Sequence, residues 1–285
     1  MANWIPLLSI LPRNLISQAF GAVTRAKIPG FSPAFRDWFV RQFKIDMSDA
    51  ARPQKDYANV HELFIRELKS GARPLADAGF VSPVDGRLSQ CGLLDDPTLR
   101  MIQAKGRYYS LTSLVRDQAL AERFRGGSWG VIYLAPFNYH RIHSPVSGAV
   151  HLALYCPGTL WPVNVSSVQQ IPELFCVNER LTSYLKMEGG GEVLVVKVGA
   201  TNVGRISLSY TSDILTNSKQ VPSRENPCCI WTPEHPIAVE KGAHLGTFEL
   251  GSTVVLVCSR EVRERYPNLF VNQLGKDVRM GQNLD

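Results

Sequence analysis

The chain has 285 residues and a mass of 31.7 kDa, which is room for one large domain or two small ones around a substantial core. With 45% apolar, 20% charged and 9% aromatic residues it falls in the globular range, which excludes a disordered, collagen-like or coiled-coil protein. Its formal net charge of +6 is gathered at the start, where residues 1–55 carry eight basic side chains against three acidic ones.

The first apolar run, residues 4–11, contains Pro6 and has no small-residue cleavage site behind it. It is far short of the roughly 20 residues that span a bilayer, so neither a transmembrane helix nor a signal peptide is expected, and the chain is expected to stay in the cytoplasm. Helical spacing follows. Leu15, Ile16, Ala19, Phe20 and Val23 share one face, and Phe35, Trp38, Phe39 and Phe43 share another behind a Ser32-Pro33 start signal. A basic, aromatic and amphipathic segment suits nucleic acid or the anionic surface of a bilayer. The helical placing of its apolar residues favours the bilayer, and no nucleic-acid partner is expected. The plainer reading is that these helices cap the core.

Asn59 with Glu62 three residues on, then Leu63, Phe64, Leu68 and Gly71, predicts one capped helix. Beyond it the strong segments become short, β-branched and punctuated by Gly or Pro: 131–135, 149–154, 193–198, 203–209 and 253–258. The expected architecture is α+β, with a helical, membrane-associating part over residues 1–75 and a mainly antiparallel, barrel- or sandwich-like β core over 76–285. Gly189-Gly190-Gly191 reads as a hairpin turn and lacks the strand-loop-helix setting of a phosphate cradle. The six cysteines have no zinc-like spacing and read as reduced thiols.

Three segments could carry chemistry. Ser82-Pro83-Val84-Asp85-Gly86 sets a carboxylate in a turn. Tyr139-His140-Arg141-Ile142-His143 holds two histidines that would share a face in a helical turn and diverge in a strand. Gly251-Ser252, at the mouth of the apolar run 254–257, brings a hydroxyl beside an unshielded peptide carbonyl, the arrangement that an intramolecular acyl shift requires. Asp85, His143 and Ser252 could equally be the triad of a serine hydrolase acting on an external ester. Zinc held by His140, His143 and Asp85 lacks a supporting fourth spacing, so no metal is expected. A lipoyl-like hairpin at Lys241-Gly242 lacks the expected flanks for an acceptor lysine.

Taken together, Pro83-Val84-Asp85-Gly86, Tyr139-His140-Arg141-Ile142-His143 and Leu250-Gly251-Ser252-Thr253, with Gln103-Ala104-Lys105-Gly106 and Asn178-Glu179-Arg180 between them, resemble the bacterial phosphatidylserine decarboxylases over nearly the whole chain. The resemblance implies a precursor that cuts itself between Gly251 and Ser252. Ser252 would attack the Gly251 carbonyl, and the ester would eliminate to dehydroalanine and hydrolyse to a covalent pyruvoyl cofactor. A β chain, 1–251, would then stay bound to an α chain, 252–285, as a heterodimer open to further pairing. By the family's pattern Asp85 orients His143 and His143 is the base for cleavage.

His140 would assist decarboxylation and return a proton to Cα. The implied reaction converts phosphatidylserine to phosphatidylethanolamine and CO2 through a Schiff base, in phospholipid biosynthesis. Substrate contacts are expected from His140 and from Pro162 and Val163 in the loop 157–164, with Arg141 either an anion clamp or a solvated charge. Because a diacyl lipid leaves the bilayer only at ~0.8 kcal/mol per exposed CH₂, the expected location is peripheral, on the cytoplasmic side of the inner membrane.

Overall fold

A computed structural model describes residues 13–77, 79–104, 106–201, 205–214, 216, 228–249 and 253–285, with the side chains of Arg13 and Val165 set aside. Residues 4–11, Lys105, Val203 and the whole of Leu250-Gly251-Ser252 therefore lie outside the described residues.

Two helices open the described chain, α1 (Arg13–Arg25) and α2 (Phe31–Phe43). In α1 the expected apolar face turns largely outward, with Phe20 still packed against the core. The small polar residues Ser17 and Thr24 are fully buried, whereas Leu15, Ile16 and Val23 are 63%, 38% and 43% exposed. The apolar arc expected on α2 splits. Phe39 enters the core and packs its ring against Phe64, while Trp38 stays outside, stacked on Phe35. The helix is turned this way by Arg36, whose guanidinium is buried and donates to the carbonyls of Tyr57 at 2.6 Å and Lys55 at 3.1 Å.

Helix α3 (Val60–Phe64) starts as its sequence predicts: Asn59 Oδ1 accepts from Glu62 N at 2.9 Å and Glu62 Oε2 accepts from Ala58 N at 3.1 Å. It ends at Phe64 rather than near Gly71, because the following residues are drawn into extended pairing. Leu68 bridges to Ala50, and the backbones of Ala51 and Lys69 bond to those of Glu67 and Asp49.

The core is a sheet of nine described strands, all paired antiparallel. In chain order its members are β1 (Gly86–Leu93), β4 (Ser128–Tyr133), β6 (Gly148–Cys156), β7 (Arg180–Met187), β8 (Glu192–Val198), β10 (Cys229–Trp231), β11 (Ile237–Val239), β13 (Thr253–Cys258) and β14 (Asp277–Val278). They lie in the order β10-β6-β7-β8-β13-β4-β1-β14, with β11 also on β6. The outer strands β10 and β14 do not meet, so among the described residues the sheet is open and the barrel expectation is corrected. A separate three-stranded sheet joins β5 (Arg141–His143), β12 (His244–Phe248) and β9 (Ile206–Leu208), and β2 (Arg100–Ala104) pairs with β3 (Arg107–Ser110).

Strand β13 runs between β4 and β8 with every residue buried, and its first residue, Thr253, lies opposite both Tyr133 and Val198. Central placement explains its unbroken apolar run, since a strand covered on both faces has no polar side to show. Thr253, the residue after Ser252 in the sequence, thus opens the strand at the middle of the sheet. Phe39, Val60 and Phe64 belong to the same hydrophobic cluster as the sheet strands, so helices and sheet share one core. Among the described residues no helix is long and apolar enough to cross a membrane.

Candidate active site

Asp85 closes its turn with a buried carboxylate. Arg73 donates to it in fork geometry, from Nε to Oδ1 at 2.9 Å and from Nη2 to Oδ2 at 2.6 Å, and the Met280 backbone N–H adds a third bond at 2.9 Å. Arg73 also binds Asp49 at 2.8 Å, and these two carboxylates raise its pKa against the opposing effect of burial. Gly86 follows Asp85 because a Cβ there would stand 2.5 Å from the Tyr133 carbonyl oxygen.

His143 ends β5 beside this turn, and its backbone N–H donates to the Pro83 carbonyl at 2.9 Å. Its Nδ1 is 2.7 Å from the Gly242 carbonyl, which can only accept, so Nδ1 carries the proton and Nε2 takes the Tyr139 hydroxyl at 3.1 Å. Burial holds the imidazole below its ordinary pKa despite the Gly242 bond, leaving a neutral ring with the correct tautomer for a base. Asp85 acts on it electrostatically, and no hydrogen bond joins the two: the carboxylate is spent on Arg73 and Met280.

His140 precedes the strand, so the two histidines do not share a helical turn. It is fully buried under the Phe64 ring, with centroids 4.0 Å apart. Its Nδ1 donates to Asn138 O at 2.8 Å, and Asn138 in turn caps the turn by accepting from Ala135 N at 2.8 Å. The other nitrogen, Nε2, is enclosed and has no partner among the described residues. Burial first, and the nearby Arg66 guanidinium second, push the His140 pKa down to about 3, so the resting ring is neutral rather than poised near its pKa. The His140 carbonyl accepts from Phe248 N at 3.0 Å, which fastens this histidine to the strand that leads toward Gly251-Ser252.

The described residues on either side of that step are firmly held. Glu249, 12% exposed, is bound by Arg25 at 3.0 Å and His61 at 3.2 Å, so the end of α1 and the start of α3 both grip the chain two residues before Gly251. On the other side Thr253 has a buried Oγ1 without a partner among the described residues. Thr253 lines a cavity of about 540 Å³ together with Tyr133, Gln90, Val163, Val168 and Phe175. Of the two loop residues expected to touch substrate, Val163 lines this cavity and Pro162 does not. Arg141 is engaged, donating to Ile65 O and pairing with Glu67 at 3.0 Å.

Several motif residues are structural brackets. Asn178 clamps the loop that carries Val163, exchanging bonds of 2.9 Å with the backbone of Trp161 and donating to Gly199 O. Gln103 ties the next segment by donating to the carbonyls of Val168 and Ile171 and accepting from Leu174 N. Arg180 is fully buried and spreads its charge over the carbonyls of Ser113, Leu114, Cys176 and Asn178. Sequence reasoning missed Arg73, Arg66 and Glu249. Only the Arg-Pro step at 73–74 and the Glu in Phe248-Glu249-Leu250 were visible, and neither names a partner in the sequence.

A family model described as phosphatidylserine decarboxylase matches residues 60–284. Curated relatives are named phosphatidylserine decarboxylase proenzyme. One from Anaeromyxobacter sp. is 42% identical over 99% of this chain and 97% of its own, and one from Myxococcus xanthus is 41% identical over 90% and 89%. A third, from Shewanella denitrificans, is 38% identical over 98% and 95%.

Proposed function

The chain belongs to the phosphatidylserine decarboxylase family, and from that premise we propose that it cuts itself at Gly251-Ser252 and decarboxylates phosphatidylserine to phosphatidylethanolamine in phospholipid synthesis. The observation that carries this reading is the 42% identity along 99% of the chain to a proenzyme of that name. In this reading residues 1–251 and 252–285 remain together as β and α chains, and 76–285 is the catalytic domain.

For the cleavage, His143 is the base. Neutral, with its proton on Nδ1 toward Gly242, it presents a lone pair at Nε2. That lone pair faces the Tyr139 hydroxyl, which can relay a proton or swing aside for Ser252. Asp85 contributes the field of a fixed negative charge, with Arg73 holding its position. Glu249 and the buried strand β13 restrain the chain on both sides of the scissile step, which suits an intramolecular attack that depends on orientation.

The cleaved enzyme would carry a pyruvoyl group at position 252, a carbonyl that captures the serine amine and draws off the electrons released with CO2. The described residues fit such a group. His140 Nε2 and Thr253 Oγ1 are enclosed polar atoms without partners among the described residues, and Thr253 is the residue to which the group would be attached. His140 presents a free lone pair at Nε2 in its resting neutral state; a ring held this far below its ordinary pKa takes up a proton only once the negatively charged substrate lies beside it, and can then deliver that proton to Cα after CO2 departs. Val163, Tyr133 and Phe175 supply apolar surface to the wall of the cavity at Thr253.

Residues 1–75 would seat the enzyme on the membrane. Leu15, Ile16 and Val23 of α1 and Phe31 and Trp38 of α2 are apolar side chains exposed within a basic segment, a combination suited to an anionic bilayer. The location proposed is the cytoplasmic side of the inner membrane, as a peripheral protein.

The test is a denaturing intact-mass spectrum with a lipid assay. Two pieces divided at residue 251, summing to about one dalton above the precursor mass (water gained, ammonia lost), with phosphatidylethanolamine formed, are expected. The Ser252→Ala chain should stay whole. An uncut wild-type chain that hydrolyses simple esters would replace this reading with the serine hydrolase.

A further inference from the structure

All six cysteines are free thiols, and two of them meet. Cys156 is the last residue of β6 and is fully buried, whereas Cys228 stands immediately before β10, half-buried at the outer edge of the sheet. Strand β10 lies antiparallel on β6, with Cys229 opposite Tyr155, Ile230 opposite Leu154 and Trp231 opposite Ala153. One further step of the same register sets Cys228 against Cys156, and the two side chains are hydrogen-bonded to each other. They are 72 residues apart in the chain, so no local spacing pairs them.

The surroundings separate this pair from the other thiols. The Cys228 hydrogen bond, with the charges of Arg180 and Arg116 behind it, holds the Cys156 thiol below its ordinary pKa against the opposing effect of burial. Burial alone pushes Cys91 and Cys258 up, and burial is also the main reason that Cys176 is raised. Since the thiolate is the reactive form, Cys156 is set apart from these three. Cys229 is exposed on the far side of the half-buried Cys228 and has no such partner in the strand register.

We propose that Cys156 and Cys228 close a reversible disulfide when a hydroperoxide reaches them at the edge of the sheet. One thiol takes an oxygen from the hydroperoxide as a sulfenic acid and releases an alcohol, and the other sulfur then displaces water from it. The S–S bond forms as the S–O bond breaks. The two electrons given up by the thiols cleave the peroxide O–O bond, and the two thiol protons leave in the alcohol and the water. Opposed Cβ atoms in an antiparallel pair lie about 4.5–5.5 Å apart, against about 3.5–4.5 Å across a disulfide, so a small approach is required. Strand β10 can supply it, being three residues long and paired to β6 alone among the described residues. The bond would clamp this short outer strand to the sheet, and the half-exposed Cys228 would leave it open to a reducing thiol. The inference is independent of the decarboxylase reading, since both cysteines lie on the same side of the proposed cut.

The test treats the freshly reduced full chain with tert-butyl hydroperoxide, blocks the remaining thiols with N-ethylmaleimide and locates the linked sulfurs by tandem mass spectrometry of proteolytic peptides. A peptide pair joined through Cys156 and Cys228 is expected, about 2 Da lighter than the two reduced peptides together and separated by dithiothreitol. Cys229→Ser and Cys91→Ser should form the link as wild type does, and Cys156→Ser and Cys228→Ser should not. The oxidised wild type should unfold about 5 °C above the reduced protein, a shift that Cys228→Ser should lack. The half-buried Cys228→Ser keeps this comparison valid if the buried Cys156→Ser fails to fold.

Sulfinic acid at Cys228 without a link overturns the proposal. So does a link through Cys176, or one between two chains through Cys229. A thermal shift that persists in Cys228→Ser, or a link that dithiothreitol does not open, also overturns it.

Discussion

The two sides of the site are built on different terms. On the Asp85 side every strong group is answered: the carboxylate accepts three N–H donors from Arg73 and Met280, and both nitrogens of His143 have partners. On the His140 side, one imidazole nitrogen and two guanidinium nitrogens are shut away from water with nothing among the described residues to meet them. A protein interior leaves few buried polar groups unsatisfied, and such exceptions collect where a ligand completes the bonding. The contrast divides the chemistry. In the function proposed above, the satisfied side serves the reaction of the chain upon itself and the unsatisfied side receives the external molecule.

The sharpest way to break that division is to remove each histidine separately. His143→Ala should leave the precursor uncut, while His140→Ala should be cut normally and lose about 10²–10⁴ in decarboxylation rate, the usual contribution of a general acid or base. Mass spectra and CO2 release read the two effects independently, and a His140→Ala chain that fails to mature would erase the distinction.

Next in size, Arg73→Met should lower stability by about 3–5 kcal/mol, since it strands a buried Asp85 carboxylate with a single remaining donor. The midpoint of denaturant unfolding of the Ser252→Ala precursor checks this free of differences in cleavage.

A smaller effect comes from acidity. The His140 ring has a pKa of about 3 in the folded chain against 6.5 ordinarily, so its contribution to stability is present above 6.5 and is lost as pH falls from there toward 3, where only the unfolded chain takes up the proton. Between pH 7.5 and 5.5 the wild type should therefore lose more stability than His140→Gln, by on the order of 1 kcal/mol. Equal losses in the two proteins would place the imidazole in a wetter setting than its burial indicates.

The smallest effect on stability is expected at α1. Replacing Leu15, Ile16 and Val23 by serine should move stability by no more than about 0.5 kcal/mol per site, as for other exposed positions, while reducing sedimentation with anionic liposomes. Unchanged liposome binding would return these helices to a purely structural role.

The sequence by itself determined much of this protein. Short β-branched runs bounded by Gly or Pro located strands within 131–135, 149–154 and 193–198, and the apolar run 254–257 lies in the central strand, because a backbone alternating its side chains between two covered faces requires apolar residues on both. Asn59 and Glu62 announced a helix start through a local hydrogen-bond rule. Asp85, His140 and His143 were singled out together through the resemblance of their short motifs to those of a known family.

What only the tertiary structure decided are the relations between distant segments. Helical periodicity marked an apolar face on α1 without saying that Ser17 and Thr24, on the other side, would be the buried ones. The same periodicity could not stop α3 at Phe64, since that depends on Leu68 meeting Ala50. Nor could spacing separate three buried arginines, whose roles rest on what surrounds each in space: carboxylates around Arg73, carbonyls around Arg180, and around Arg66 the Phe137 carbonyl, with two nitrogens left without an acceptor among the described residues. Backbone geometry is set by near neighbours in the chain, whereas the desolvation and pairing of a charge are set by whichever segments the fold brings around it.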